Sequence, residues 1–253
     1  MSPPKVALAP FLRSCPGVIT LGVRSTIDDY SAAEKKLLRT AARVFFPTPR
    51  FAYLFQALRI PTFPCCHTYR LQHSRVLQQI LLACSQTPHP ATRIYFGRRQ
   101  KERILKDFAF PLVAMGPLAH HPKQVVDNAT ALEASCLAHN PLIIQEATRW
   151  ELRLKILWVY ADCLGMLRKD RSQGSDIPYE PLPIGHPEHG MVIELTGALA
   201  RKARLDDIVV EWGRTRGQWQ VLGMGRPPVR WPLPAAILNR HEYLRDLVMA
   251  GRL

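Results

Sequence analysis

The sequence lacks most of the features that would place a protein quickly. No apolar run approaches the ~20 residues a membrane-spanning helix needs, so no membrane helix is expected. The N-terminal MSPPKVALAPFLRSCPGV carries one lysine and an apolar patch broken by Pro10. That is a poor signal peptide, and the expected compartment is the cytoplasm. The six cysteines show no C-x-x-C spacing, and Cys65 and Cys66 are adjacent, so reduced thiols are the expectation. No internal repeat, helix-turn-helix, zinc-finger or RNA-platform signature is present. Acidic residues are few, 20 against 34 lysines and arginines, for a net charge of +14. The basic residues thicken at 98–106, 168–171 and 200–204. Such charge suits an acidic peptide or protein, or phosphates, as well as nucleic acid, which no motif favours.

What is present is a foldable chain of 253 residues, 47% hydrophobic, with 22 prolines that mark element edges. GVITLGV (17–23) reads as a strand. SAAEKKLLRTAARVFF (31–46) reads as one helix with Ser31 and Glu34 as a capping box. Further helices are expected at 47–60, 71–87, 98–108, 125–139, 191–205 and 239–251. Strands are expected at 92–97, 110–115 and 141–147, with a short strand and turn in IPTFPCCHTY. Hairpins are expected at 152–170, turning at Ala161-Asp162, and at 206–224, turning through GRTRG. The stretch 170–190 reads as a loop. This alternation is an α+β or α/β pattern with several small sheets.

Five stretches in this order resemble the ATP-grasp superfamily, in particular its RimK-type and glutathione-synthetase-like members. They are PTPRFAYLFQALRIPTFPCCHTY, SRVLQQILLACSQTPHPATRIYFG, FPLVAM, LIIQEA and GQWQVLGMG. The resemblance implies an α+β, ATP-grasp-like fold with a nucleotide cleft between two mainly antiparallel sheets and flanking helices. It implies a lead-in region over 1–70, a first ATP-grasp subdomain over 71–140 and a second over 141–253.

The family joins a carboxylate to an amine through an acylphosphate, and the resemblance assigns positions to that chemistry. Backbone groups of Gln145, Glu146 and Ala147 would hold the adenine. Two lysines would grip the phosphates: Arg75 stands at the first position and Met115, a thioether without charge, at the second. A glycine-rich loop should follow Met115, yet the chain reads GPLAHHPKQ, whose prolines cannot donate an N–H. His120, His121 and Lys123 are the cations that loop could offer. Magnesium needs oxygen ligands, but Gly223 and Gly225 stand where a Glu and an Asn are expected. Glu211 or Asp207 could replace them only through a shifted register. After the hinge, either Glu151 with Arg153 or Arg153 with Lys155 fills the ribose and phosphate positions, and Arg168 falls near the phosphoryl site.

Other constellations have plainer readings. Cys65 or Cys66 as a nucleophile would need a base in reach, which the adjacent His67 seldom is. His186 and His189 flank Glu188 in a proline-marked loop, with no second cluster to complete a metal set. The five tryptophans are expected in packing. The expectation is therefore an ATP-grasp-like protein with degraded phosphate and metal sites, a binding or scaffolding subunit that pairs with an active ligase or an acidic peptide. ATP would bind weakly, and magnesium only with relocated ligands. The alternative is an active ATP-dependent carboxylate–amine ligase using Glu211, Asp207 and the loop histidines.

Overall fold

The computed structural model describes residues 3–170, 179–185, 189–228 and 239–253, which form three sheets with helices packed on them. The first sheet is parallel, with β1 (Lys5–Ala7), β2 (Val18–Thr20), β3 (Arg43–Phe45) and β4 (Thr62–Phe63) in the order β2-β1-β3-β4. Helix α1 (Ala32–Arg39) starts on the expected capping box of Ser31 and Glu34. It stops at Arg39 rather than 46, because the sheet takes Val44 and Phe45, both fully buried, into its centre. A strand buried on both faces is apolar without alternation, so AARVFF looked like more helix.

Thr48 caps α2 (Pro49–Ala57) by accepting from Phe51 N. The expected turn after β4 is instead a helix, α3 (Cys66–His73), and the helix read over 71–87 begins only with α4 (Arg75–Ser85). Ser74 separates the two: its extended backbone ends α3, and its hydroxyl accepts from Leu77 N to start α4.

The second sheet is antiparallel, with β5 (Thr92–Tyr95), β6 (Leu112–Met115), β7 (Lys123–Val126) and β8 (Leu142–Glu146) in the order β5-β8-β6-β7. The basic stretch after β5 forms two short helices, α5 (Gly97–Lys101) and α6 (Ile104–Asp107), rather than one. Strand β7 overturns the start of the helix read at 125: Val125 and Val126 pair with Val113 and Leu112. Helix α7 (Ala129–Ala138) begins after Asn128, whose Oδ1 accepts from Ala131 N at 2.9 Å.

The third sheet comprises β9 (Leu152–Val159), β10 (Asp162–Asp170), β11 (Glu180–Leu182), β12 (Asp207–Thr215) and β13 (Gln218–Gly225), all antiparallel, in the order β11-β10-β9-β12-β13. Both expected hairpins are there. The second turns on Arg216 and Gly217, with φ of 49° and 73°, the double left-handed turn that matches strand twist. Strand β11 corrects part of the loop read at 170–190. His186, Glu188 and Trp231 lie outside the described residues.

One face of this sheet is covered by α4 and α8 (Gly190–Ala203). Trp212 is fully buried there, and its indole N–H donates to Thr196 Oγ1 at 2.9 Å, so its polar tip is satisfied. The opposite face is divided. At one end Leu157, Val159 and Val209 pack against Phe45 and Phe63 of the first sheet and against α9 (Arg240–Met249). At the other end it faces the second sheet across a cleft, as expected for the α+β architecture. No helix among the described residues is long and apolar enough to cross a membrane.

His241 helps to dock α9. Its ring stacks on Phe11 at 4.3 Å and meets Phe46 edge-on at 5.9 Å. Burial, with Arg240 beside it, pushes its pKa down to about 4. A histidine depressed on folding stabilises above its unfolded pKa, and that contribution is lost as pH falls from about 6.5 toward 4. Asp206, pushed up to about 6 by burial, works in the opposite direction. A comparison with His241→Phe isolates the histidine: denaturation midpoints of the native chain should fall more steeply than the variant's between pH 7 and pH 4.

Candidate functional site

The cleft holds a cavity of about 460 Å³ between β6–β7 on one side and β9, β12 and β13 on the other. Alternation along β12 turns Val209 and Glu211 toward it, while Ile208, Val210 and Trp212 enter the core on the far face. On the second sheet, Met115 lines the cavity and pairs directly with Lys123 on β7. The charge missing from Met115 is thus supplied one strand away.

Lys123 sits on an exposed edge strand, but its ammonium turns inward and donates to the Leu222 carbonyl at 2.7 Å, tying the two sheets together. That carbonyl belongs to a bulge. Glu211 pairs with Gly223 and Trp212 with Val221, so Leu222 is the extra residue on β13. The ammonium lies beside Gly223, where an added Cβ would meet Lys123 Nζ in ordinary contact at 3.7 Å.

Among the described residues, Glu211 is the one carboxylate lining this cavity. It pairs with Arg153 at 2.8 Å and accepts from the Tyr179 hydroxyl at 2.6 Å. Burial alone would raise its pKa, but Arg153, Lys123, Tyr179 and Lys155 outweigh burial and hold it below the usual glutamate range. Lys155 stands opposite Glu211 across β9–β12, with its Nζ 4.1 Å from the centre of the Tyr179 ring.

The other expected site residues are placed differently. Arg75 lines the cavity but is buried, and it spends its fork on the loop between β6 and β7, donating to the carbonyls of Gly116, Ala119 and His121. His120 and His121 are not in the cavity lining. The His121 ring stacks with His139 at 5.2 Å, and both rings crowd Gly116. Arg168 shares the strand face of Met166, away from Lys155, and pairs with Asp170 at 2.7 Å. Asp207 is buried and ion-paired with Arg240, outside the cavity.

The hinge residues border a second cavity of about 480 Å³, lined by 146–149 and the β12–β13 turn. Glu146 and Ala147 reach it, whereas buried Gln145 donates to Thr92 Oγ1 at 3.0 Å. Glu151 lies on the turn side, accepting from Arg216 N at 2.8 Å. The Trp150 ring rests on Gly213, where an added Cβ would come within 2.4 Å of it, and neither residue lines either cavity. Gly213 lies on β12 midway between Glu211 of the first cavity and Thr215 of the second.

No family model and no curated protein matches the sequence. Solved structures do match. A RimK domain ATP-grasp protein from Sphaerobacter thermophilus aligns with a TM-score of 0.65 at 15% identity, over 88% of this chain and 90% of that one. The ATP-grasp ligase PsnB, complexed with a minimal precursor, gives 0.68 at 12% identity over 98% and 99%. D-alanine–D-alanine ligase from Bacillus anthracis, complexed with ATP, gives 0.64 at 11% identity over 92% and 80%. The chain has the ATP-grasp fold.

The described residues lining this cavity offer few side-chain oxygens to the magnesium that the ATP-grasp resemblance implies. A hard dication wants several oxygen ligands. Here Glu211 is already ion-paired, and Gly223 and Gly225 have no side chains to offer. The Lys123 ammonium also repels a second cation near Gly223. Among the described residues, no group of three or more His, Cys, Asp or Glu is placed to hold a metal.

Two residues of this cavity escaped the sequence reading, Gln78 and Arg226. Gln78 was detectable, because it follows Arg75 at helical spacing and so shares its face. It stitches α4 to β13 by donating to Met224 O at 2.8 Å and accepting from Met224 N at 3.2 Å. Removing the brace at Arg75 leaves the carbonyls of Gly116, Ala119 and His121 without their charged donor. Arg75→Ala should cost about 2–4 kcal/mol in urea denaturation, and hydrogen exchange should rise over 116–122. Arg75→Lys should recover only part of this, because a point ammonium cannot reproduce the fork.

Proposed function

We propose that this ATP-grasp-fold chain is a RimK-like binding or scaffolding subunit, impaired as a ligase. The observation that carries this is the substitution of a tethered ammonium for metal-binding oxygens. Lys123 reaches to within 3.7 Å of the space a side chain at Gly223 would enter, and the nearby carboxylate, Glu211, is ion-paired to Arg153. Phosphoryl transfer depends on neutralising charge as it moves between oxygens, and a fixed lysine cannot bridge two phosphates as a pair of metals does. The role left to such a cleft is recognition. The basic surface suits an acidic peptide or an active ligase of the same fold as partner.

A second reading, an active ATP-dependent carboxylate–amine ligase, is favoured by one feature. Glu211 faces Gly223 across the hairpin and lines the cavity, so it is a relocated acidic ligand in position. Titration calorimetry with ATP, with and without magnesium, separates the two. Binding that requires magnesium, together with turnover, supports the ligase; weak binding indifferent to magnesium supports the scaffold. Met115→Lys alone should not create ATP turnover in a phosphate-release assay, because it adds a second ammonium opposite Lys123 and no oxygen ligand.

A further inference from the structure

The first sheet carries a groove on the side away from the third. One face of this sheet meets the third sheet through Phe45 and Phe63, and the other, through Val6, Leu8 and Val44, lies under α1 and α2. Between those helices is a cavity of about 230 Å³, floored by the buried Leu38, Phe55 and Ile60. Its walls differ in chemistry. Lys35 and Arg39, four apart on α1, share one wall. Leu54 and Leu58, four apart along α2 and its C-cap, share the other. Leu58 is 56% exposed and Leu54 37%, so the apolar wall stands open to solvent. The cationic wall is short of partners. Asp28, Asp29 and Glu34 are the acidic residues of the stretch 1–70, and each is taken. Asp28 pairs with Lys35 at 3.0 Å, Glu34 pairs with Arg24 at 2.7 Å, and Asp29 accepts from Thr26 N at 2.9 Å. Arg39 makes no ion pair within 4 Å among the described residues.

We propose that the α1–α2 groove docks an acidic peptide segment of a partner protein, with a leucine, isoleucine or phenylalanine side chain in the cavity and a carboxylate on Arg39. The inference deepens the scaffold reading, on which it rests, by giving the acidic partner a surface of its own outside the cleft. Size favours a side chain over a free ligand, because pockets that enclose small molecules run to roughly 300–1,000 Å³ and this one is smaller. Charge favours a different chain over a second copy, since two copies would each bring a net +14 and an Arg39 to the same contact. The anchor in the apolar floor supplies affinity, and the carboxylate on the cationic wall supplies orientation and the choice of partner.

The probe comes from a random-peptide display library selected on the whole chain and counter-selected on Leu58→Ser. Enriched peptides should combine a large apolar residue with Asp or Glu. A fluorescein-labelled peptide from that pool should bind saturably in fluorescence polarisation, and more weakly as salt rises. Leu58→Ser and Arg39→Glu should each weaken it by about tenfold or more. Exchanging the peptide's carboxylates for lysines should restore binding to Arg39→Glu and abolish it for the native chain. Both positions are exposed, so both variants should fold, which circular dichroism checks. No enrichment, enriched peptides without acidic residues, or an affinity unmoved by either variant would each overturn the proposal. A dimer in sedimentation that Leu58→Ser dissociates would overturn it too, by putting a second copy in the groove. Magnesium-dependent ATP turnover would instead sink the scaffold reading and leave peptide binding intact, whereas failure of the peptide leaves that reading standing.

Discussion

A lysine that leaves an edge strand to bond a carbonyl on the opposing sheet sets the character of the whole cleft. The Lys123 ammonium gives up water to reach Leu222, and a charged hydrogen bond returns about 1.5–3 kcal/mol of that loss. The bond is made to the bulged residue of β13, with Gly223 next to it. Once the ammonium is there, every neighbour adjusts to it. Glu211 stays ionised among cations, Met115 can be apolar, and the cavity between the sheets carries an excess of positive charge.

The supports of this arrangement come from elements with other duties. Helix α4 buries Leu82 in the core beneath the third sheet while its first turns present Arg75 and Gln78 to the cleft. Arg75 fastens the β6–β7 loop, and Gln78 fastens β13. The helix therefore fixes the distance between the two walls. A change at its N-terminal end is felt on both sheets.

Much of the fold could be read from the chain. Hairpins announced themselves through apolar strands broken by Gly217 and Ala161, and the Ser31–Glu34 capping box and the prolines at 47 and 49 marked helix starts. The misreadings share a cause. Val44–Phe45 is a doubly buried run and Val125–Val126 an edge strand with Val125 exposed, but both are short apolar runs without alternation, and periodicity cannot tell such a strand from one turn of helix. In the site, losses were legible, because a methionine or a glycine cannot do what a lysine or a glutamate does. Gains were not. Lys123 acquires its role from pairing with Met115, eight residues earlier in the chain, and from a bulge that no local propensity encodes. The carbonyl partners of Arg75 and the seat of Trp150 on Gly213 depend equally on tertiary placement.

The Lys123 bridge also changes how the cleft relates to its surroundings. A metal centre is conditional: ions arrive and depart with supply, and chelators empty it. A cation carried on a side chain is constitutive, present at a fixed local concentration from the moment the sheets meet. The charge of this cleft is therefore inherited with the fold, and altering it takes a substitution or a change in protonation.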